Sequence, residues 1–114
     1  MNNQYTAELT DEAIEQLKEL DTPYKKKILE GIQTFEKIGI KYKNLNTLGD
    51  GLYEIKSGEV RAYFKYAKNR IIIVGFIVLK KTQKAPRRYI EQAKINIDRY
   101  IQEHKELQPW QEIK

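Results

Sequence analysis

Hydrophobic positions recur along this chain with two different periods. Between residues 11 and 38 they return every three or four residues: Ala13, Ile14, Leu17 and Leu20, then Ile28, Leu29, Ile32, Phe35 and Ile38. That spacing lays one apolar stripe along each of two helices. Thr10 stands before the first stripe as an N-cap, with Asp11 and Glu12 in the turn where the helix dipole favours acids. Asp21-Thr22-Pro23 ends that helix and starts the next, with Thr22 as cap and Pro23 at the first helical position, and Gly39 is the natural stop. A helical hairpin is predicted, preceded by a short strand in residues 4–9. From residue 52 the period falls to two, which predicts strands at Leu52–Lys56, Val60–Tyr66 and Arg70–Leu79, with tight turns at Ser57-Gly58 and Lys68-Asn69. Residues 40–51, rich in turn formers and containing Gly49-Asp50-Gly51, read as loop. Pro86 opens a last helix whose apolar face is Ile90, Ala93, Ile97 and Ile101, and Gln108-Pro109 closes it.

A two-residue turn at Ser57-Gly58 pairs Ile55 with Val60 and Glu54 with Arg61. It gathers Tyr53, Ile55, Val60, Ala62, Phe64 and Tyr66 on one face, apolar throughout, to pack on helices. The other face carries Leu52, Glu54, Lys56, Glu59, Arg61, Tyr63 and Lys65 and is expected to stand open to water or a ligand. A two-residue turn at Lys68-Asn69 sets Arg61 opposite Phe76, Tyr63 opposite Val74 and Lys65 opposite Ile72. Arg61, Tyr63 and Lys80 then rim a concavity floored by Val74, Phe76 and Val78. The plain alternative is that Glu54 and Arg61 form an exposed cross-strand ion pair worth roughly 0.2–1 kcal/mol.

Charge sharpens the picture. The net charge is +5, but residues 54–88 hold ten Lys/Arg against two Glu, and the rest of the chain eleven basic against fourteen acidic residues. A cationic segment on a mildly acidic body suits a polyanion, although a solvated charged face has the same composition. Lys80, Lys81, Lys84, Arg87 and Arg88 follow directly on the most apolar strand and surround the start of the Pro86 helix, where free backbone N–H groups favour anions. With no cysteine, disulfides, thiolate metal sites and cysteine nucleophiles are excluded, and no metal-ligand spacing or phosphate-binding glycine loop occurs. His104, the sole histidine, lies between Glu103 and Lys105 in a surface context. The N-terminus has no secretory pattern, and the longest apolar run, nine residues, is far short of the roughly 20 a spanning helix needs. These features read as a single cytoplasmic domain over residues 1–114, without cofactor or membrane association, and with residues 106–114 as a flexible tail. Trp110, in that tail, packs back on the core or meets a partner.

Tyr53-Glu54-Ile55-Lys56, Gly58 to Arg61, and Lys80-Lys81-Thr82-Gln83-Lys84-Ala85-Pro86 stand in the order of three elements of a known family. Through them the chain resembles the phage-derived HigB-type branch of the RelE/ParE toxin superfamily. The resemblance covers roughly residues 50–100. It implies an α+β, RelE-like fold with an N-terminal helical hairpin packed on a small curved, mostly antiparallel sheet, and a C-terminal helix. It also implies the toxin of a type II toxin–antitoxin pair, an endoribonuclease cutting mRNA on the ribosome and restrained by a helix-turn-helix, HigA-like antitoxin. Arg61, Lys80, Lys81 and Lys84 match the family pattern; Lys56 stands where the family often has Arg, and Val74 where it often has His, so no histidine role carries over.

Metal-free RNA cleavage uses the substrate's 2′-hydroxyl as nucleophile, and the protein supplies alignment, a base, charge stabilisation and an acid. Arg61 suits the phosphorane, Lys80 the leaving oxygen and Tyr63 base stacking or proton donation; Glu54 is the one carboxylate placed to be a base, although a direct pair with Arg61 would make it a poor one. Lys56, Lys65, Lys81, Lys84, Arg87 and Arg88 are the expected RNA-binding cations. Two other readings stand beside this one: a ParE-like toxin that poisons DNA gyrase without cleaving, and a non-catalytic RNA- or ribosome-binding module.

Overall fold

The computed structural model describes residues 3–80 and 85–107. Strand β1 (Thr6–Leu9) leads into helix α1 (Asp11–Glu19), and helix α2 (Thr22–Ile38) follows after two residues. Thr10 caps α1 as its sequence predicts, its hydroxyl accepting the Ala13 N–H at 3.1 Å. The second cap lies one residue earlier than expected. Asp21, not Thr22, precedes α2, and its backbone carbonyl takes the Tyr24 and Lys25 N–H groups at 3.0 Å. Gly39 ends α2 at φ 61°, a left-handed backbone that glycine adopts without cost.

Residues 40–51 are not all loop. Leu45–Gly49 is strand β2, antiparallel to β3 (Leu52–Ser57), which pairs in turn with β4 (Val60–Ala67) and β4 with β5 (Ile71–Leu79). The sheet order is β1-β5-β4-β3-β2, and only the β1–β5 pair is parallel. Helix α3 spans Arg87–Glu103, and His104 and a short 3₁₀ turn, Lys105–Leu107, follow; Leu107 is buried in the core although the expected tail starts at residue 106, and the expected Gln108-Pro109 stop lies outside the described residues.

The sheet carries helices on both faces. Ala13 of α1 and Ile28, Ile32 and Phe35 of α2 pack against Ile55, Val60, Ala62, Phe64, Ile72 and Val74. Each such buried Ile, Val or Phe side chain contributes about 1.5–3 kcal/mol. The two N-terminal helices do not pair with each other as the expected hairpin would: α1 packs on β5 and α2 on β3 and β4. On the opposite face Leu52, Tyr63, Ala67 and Ile73 meet Ala93, Ile97 and Ile101 of α3. The expected open face is therefore closed along much of its length, because β5 is apolar on both sides and its second side needs a cover.

Both hairpin turns differ from expectation, with opposite consequences. Between β3 and β4 the loop is Gly58-Glu59, so Ser57 pairs with Val60, Ile55 with Ala62 and Glu54 with Tyr63. Sliding a two-residue loop by one position moves each partner by two, and every side chain keeps its face. Between β4 and β5 the loop has three residues, Lys68–Arg70, so Lys65 pairs with Ile73 and Phe64 with Val74. That odd count would turn the whole of β5 over. A bulge at Gly75 absorbs the extra residue, and from there Tyr63 pairs with Phe76 and Arg61 with Val78. Phe76 and Val78 thus lie on the predicted face, whereas Val74 and Ile72 belong to the core under α1 and α2. Among the described residues no helix is long and apolar enough to cross a membrane.

Candidate functional site

Alternation along β3, β4 and β5 delivers four polar side chains to one end of the α3-side face. Tyr63 stands directly opposite Glu54, and Arg61 lies diagonally two residues along β4. Lys80 follows β5 two residues after Val78, the partner of Arg61, and its backbone N–H donates to Glu59 O at 2.7 Å, prolonging the pairing. Glu54 Oε2 is 3.8 Å from both Arg61 Nε and Lys80 Nζ. The expected exposed ion pair is in fact a buried cluster: Glu54, Arg61 and Lys80 are 3%, 6% and 5% exposed.

The cluster is paired but not fully bonded. Arg61 Nη1 donates to Gly58 O at 2.8 Å and Val60 O at 3.2 Å, which aims the guanidinium along the β3–β4 turn. Asn46 of β2 donates to Glu54 Oε1 at 3.1 Å. Glu54 Oε2, Arg61 Nε and the Tyr63 hydroxyl are all buried without a hydrogen-bond partner. Three such atoms in one place are unusual, because a buried polar atom left unbonded costs about 1–3 kcal/mol. Burial, ahead of the opposing pull of Glu54, lowers the Lys80 pKa, and Arg61 and Lys56 lower it further. Burial and then the Glu54 charge push the Tyr63 phenol well above its ordinary range.

Aromatic rings connect this cluster to the surface. Tyr63 stacks on Phe76 at 5.9 Å, Phe76 meets Tyr89 of α3 at 5.1 Å, and the Arg88 guanidinium lies 5.1 Å over Tyr89. Phe76, Val78 and Tyr89 also line a shallow cleft of about 380 Å³ that extends to Gln16 and Glu19 of α1.

The other expected cations are dispersed. Lys56 is half-buried opposite Arg61, close enough to depress Lys80. Lys65 lies further along β4 and pairs with Asp98 of α3 at 3.6 Å. Arg87 and Arg88 are exposed in the first turn of α3, whose N-cap, Pro86, supplies no side-chain bond. Lys81, Lys84 and Trp110 lie outside the described residues. His104 caps α3, its Nδ1 2.8 Å from Tyr100 O and its ring stacked on Tyr100 at 4.1 Å. Among the described residues no group of three or more His, Asp or Glu side chains comes together to hold a metal. Asn46 was missed by reading the sequence because it sits in the segment taken for loop, where nothing local announces an edge strand.

The family described as phage-derived protein Gp49-like (DUF891) matches residues 15–98. No curated protein matches the chain. Among solved structures, the RelBE2 toxin–antitoxin complex of Mycobacterium tuberculosis contains a chain that is 14% identical, with a TM-score of 0.58 over 67% of this chain and 98% of that one. The archaeal RelE–RelB complex of Pyrococcus horikoshii gives 16% identity and a TM-score of 0.56 over 70% and 99%. The isolated RelE toxin of E. coli gives 13% and 0.57 over 80% and 97%. At these identities the likeness establishes a RelE-like fold.

Proposed function

We propose that this chain, which belongs to the phage-derived Gp49-like family, is the toxin of a type II toxin–antitoxin system of HigB type. Its activity would be endonucleolytic cutting of mRNA on the ribosome in the cytoplasm, restrained by a helix-turn-helix antitoxin. The solved chains of like fold come from structures whose names describe RelE toxins and RelE–RelB complexes. The observation that carries the reading is the cluster of Glu54 Oε2, Arg61 Nε and the Tyr63 hydroxyl, buried without hydrogen bonds beside Lys80.

The chemistry follows from those atoms. Glu54 Oε2 has cations at 3.8 Å yet accepts no hydrogen bond, so a lone pair remains for the proton of the attacking 2′-hydroxyl. The new bond joins that oxygen to phosphorus, and the bond to the 5′-oxygen breaks. Arg61 Nε, 3.8 Å from Glu54 Oε2 and without a hydrogen bond, would turn its N–H to the phosphorane charge once RNA enters. Lys80, its pKa lowered by burial, gives its proton to the leaving oxygen more readily than an ordinary lysine. Tyr63, held protonated, donates a hydrogen bond and takes no part as a base. The products are a 2′,3′-cyclic phosphate and a 5′-hydroxyl, and the scheme uses only side chains. The cluster is closed in the free protein, so binding must open it; mRNA held and aligned by the ribosome supplies that binding energy.

Induction followed by mapping of mRNA ends tests this. Fresh 5′-hydroxyl ends in translated messages are expected, absent in Glu54→Gln and Lys80→Met proteins shown by circular dichroism to be folded at the assay temperature. Purified protein should cut naked RNA poorly. Burial of Arg61 favours a second reading, in which the cluster is structural and the chain only binds RNA. Intact messages with undiminished ribosome binding would establish that reading, and DNA breaks without RNA ends would indicate gyrase poisoning instead.

A further inference from the structure

We propose that the cleft beside the C-terminal end of α2 docks an acidic segment of a protein partner that presents an aliphatic anchor. The inference does not depend on whether the chain cuts RNA. The cleft has a volume of about 480 Å³ and is lined by Tyr5, Ile38 and Ile40 together with the cations Lys37, Lys41 and Arg70. Ile38 is 41% and Ile40 73% exposed. One exposed isoleucine is ordinary; two in a concave site ringed by cations describe a surface awaiting contact.

Both walls are held by special backbone. Gly39 turns the chain at φ 61°, and a Cβ there would lie 2.9 Å from Tyr5 Cε2, so only glycine lets Tyr5 form the floor between the two isoleucines. Across the cleft Asn69 and Arg70 take φ 61° and 58°. That conformation is costly for arginine and closes the three-residue β4–β5 loop, a position where glycine is the usual residue. It also sets the Arg70 guanidinium 5.4 Å over the Tyr5 ring and 3.3 Å from Gln4 Oε1. Glu36, the nearest acid along α2, turns inward and accepts the Ala7 N–H at 2.7 Å, leaving the three cations without an acid among the lining residues.

Charge complementarity selects the occupant. A second copy meeting this face about a two-fold axis would set cations against cations. A phosphate backbone would satisfy the cations but leave Ile38 and Ile40 against charge. Acidic side chains flanking a leucine or isoleucine satisfy both. The site lies at the start of β5, whereas Lys80 follows its end; nine residues at about 3.3 Å each separate them by roughly 30 Å. A partner seated here leaves the Glu54 cluster uncovered.

The test uses the full chain and three fluorescein-labelled probes at physiological salt: a short Asp/Glu peptide with two leucines, the same peptide with serines in their place, and a single-stranded RNA of similar charge. Anisotropy should show the leucine peptide binding at least about tenfold tighter than the serine peptide. Ile40→Ser with Lys41→Glu should weaken it at least about tenfold without changing the melting temperature, since both side chains are exposed, and Lys26→Glu, exposed near the other end of α2, should leave it unchanged. Arg70→Gly, which relieves the strained φ, should also weaken binding while keeping or raising stability. The proposal is overturned by a leucine peptide that does not bind, by equal binding of the two peptides, or by indifference to these substitutions. RNA binding that is tighter than the leucine peptide's and lost in the same variants would make the cleft a nucleic-acid surface.

Discussion

Strand β4 presents two faces that are equally buried and chemically opposite. Val60, Ala62 and Phe64 point towards α2 and are fully buried in an aromatic core, with Phe35 and Phe64 rings 5.1 Å apart and Tyr53 stacked on Phe64 at 5.7 Å. Arg61 and Tyr63, their neighbours in the chain, point the other way and are as deeply covered, yet Arg61 Nε and the Tyr63 hydroxyl remain unbonded. The first face turns burial into stability. The second spends stability, since desolvated charges at 3.8 Å recover little of what their burial costs. One strand shows both because alternation puts successive residues in separate environments. Tyr66, whose hydroxyl is also unbonded, is the exception on the first face.

The largest expected effects break this contrast directly. Phe64→Ala should lose about 3–5 kcal/mol by cavity formation. Arg61→Ala should lose a comparable amount, up to about 3–5 kcal/mol, because it leaves Glu54 buried with one cation fewer. Replacing Glu54, Arg61 and Lys80 together by Leu, Met and Met should instead be neutral or stabilising by about 1–4 kcal/mol while abolishing translation inhibition. Urea denaturation decides: a large loss in the triple variant would make the cluster part of the core and erase the distinction.

A smaller change perturbs the α3 side alone. A Cβ at Gly75 would sit 2.5 Å from Ile97 Cγ1 and 2.9 Å from Ala93 O, and the second is backbone that cannot step aside. Gly75→Ala should therefore cost about 1–3 kcal/mol. Amide exchange should quicken in α3 and stay slow in α2; unchanged protection in α3 would mean that its close approach is not what requires glycine.

The smallest effects separate the two unbonded phenols. Tyr63→Phe and Tyr66→Phe each remove a buried hydroxyl with no partner, so each should be neutral or stabilising by roughly 1 kcal/mol. Only Tyr63→Phe should reduce cutting. Burial, then the nearby Tyr5 and Tyr53, push the Tyr66 phenol up to about 12. An acid whose pKa rises on folding binds more protons folded than unfolded near pH 11, so its contribution is complete below about 10 and fades as pH climbs through about 12. Tyr66→Phe should flatten that alkaline loss, measured as urea midpoints at about pH 9 and 11; an unchanged slope would place the Tyr66 hydroxyl in water.

How much of this was legible in the residues divides along physical lines. Thr10, Gly39 and the apolar stripes of the helices act within one or two turns, so the sequence by itself determined those elements and their buried sides. It also determined that Glu54, Arg61 and Tyr63 share a face, since a two-residue loop that slides from Ser57-Gly58 to Gly58-Glu59 preserves alternation. It brought Lys80 into play through the position of the cationic segment at the end of β5. Only the tertiary structure decided the rest. Arg70 joins the β4–β5 loop, and the extra residue is absorbed at Gly75, where the bulge lies under Ala93 and Ile97 of α3. Asn46 reaches Glu54 because the free edge of β3 recruits β2, although β2 has no strong pattern of its own. Burial of the charged cluster, which turns an expected surface pair into an under-bonded site, depends on neighbours distant in sequence. Periodicity records which side of an element a residue takes; what lies on that side is set by the packing of the whole chain.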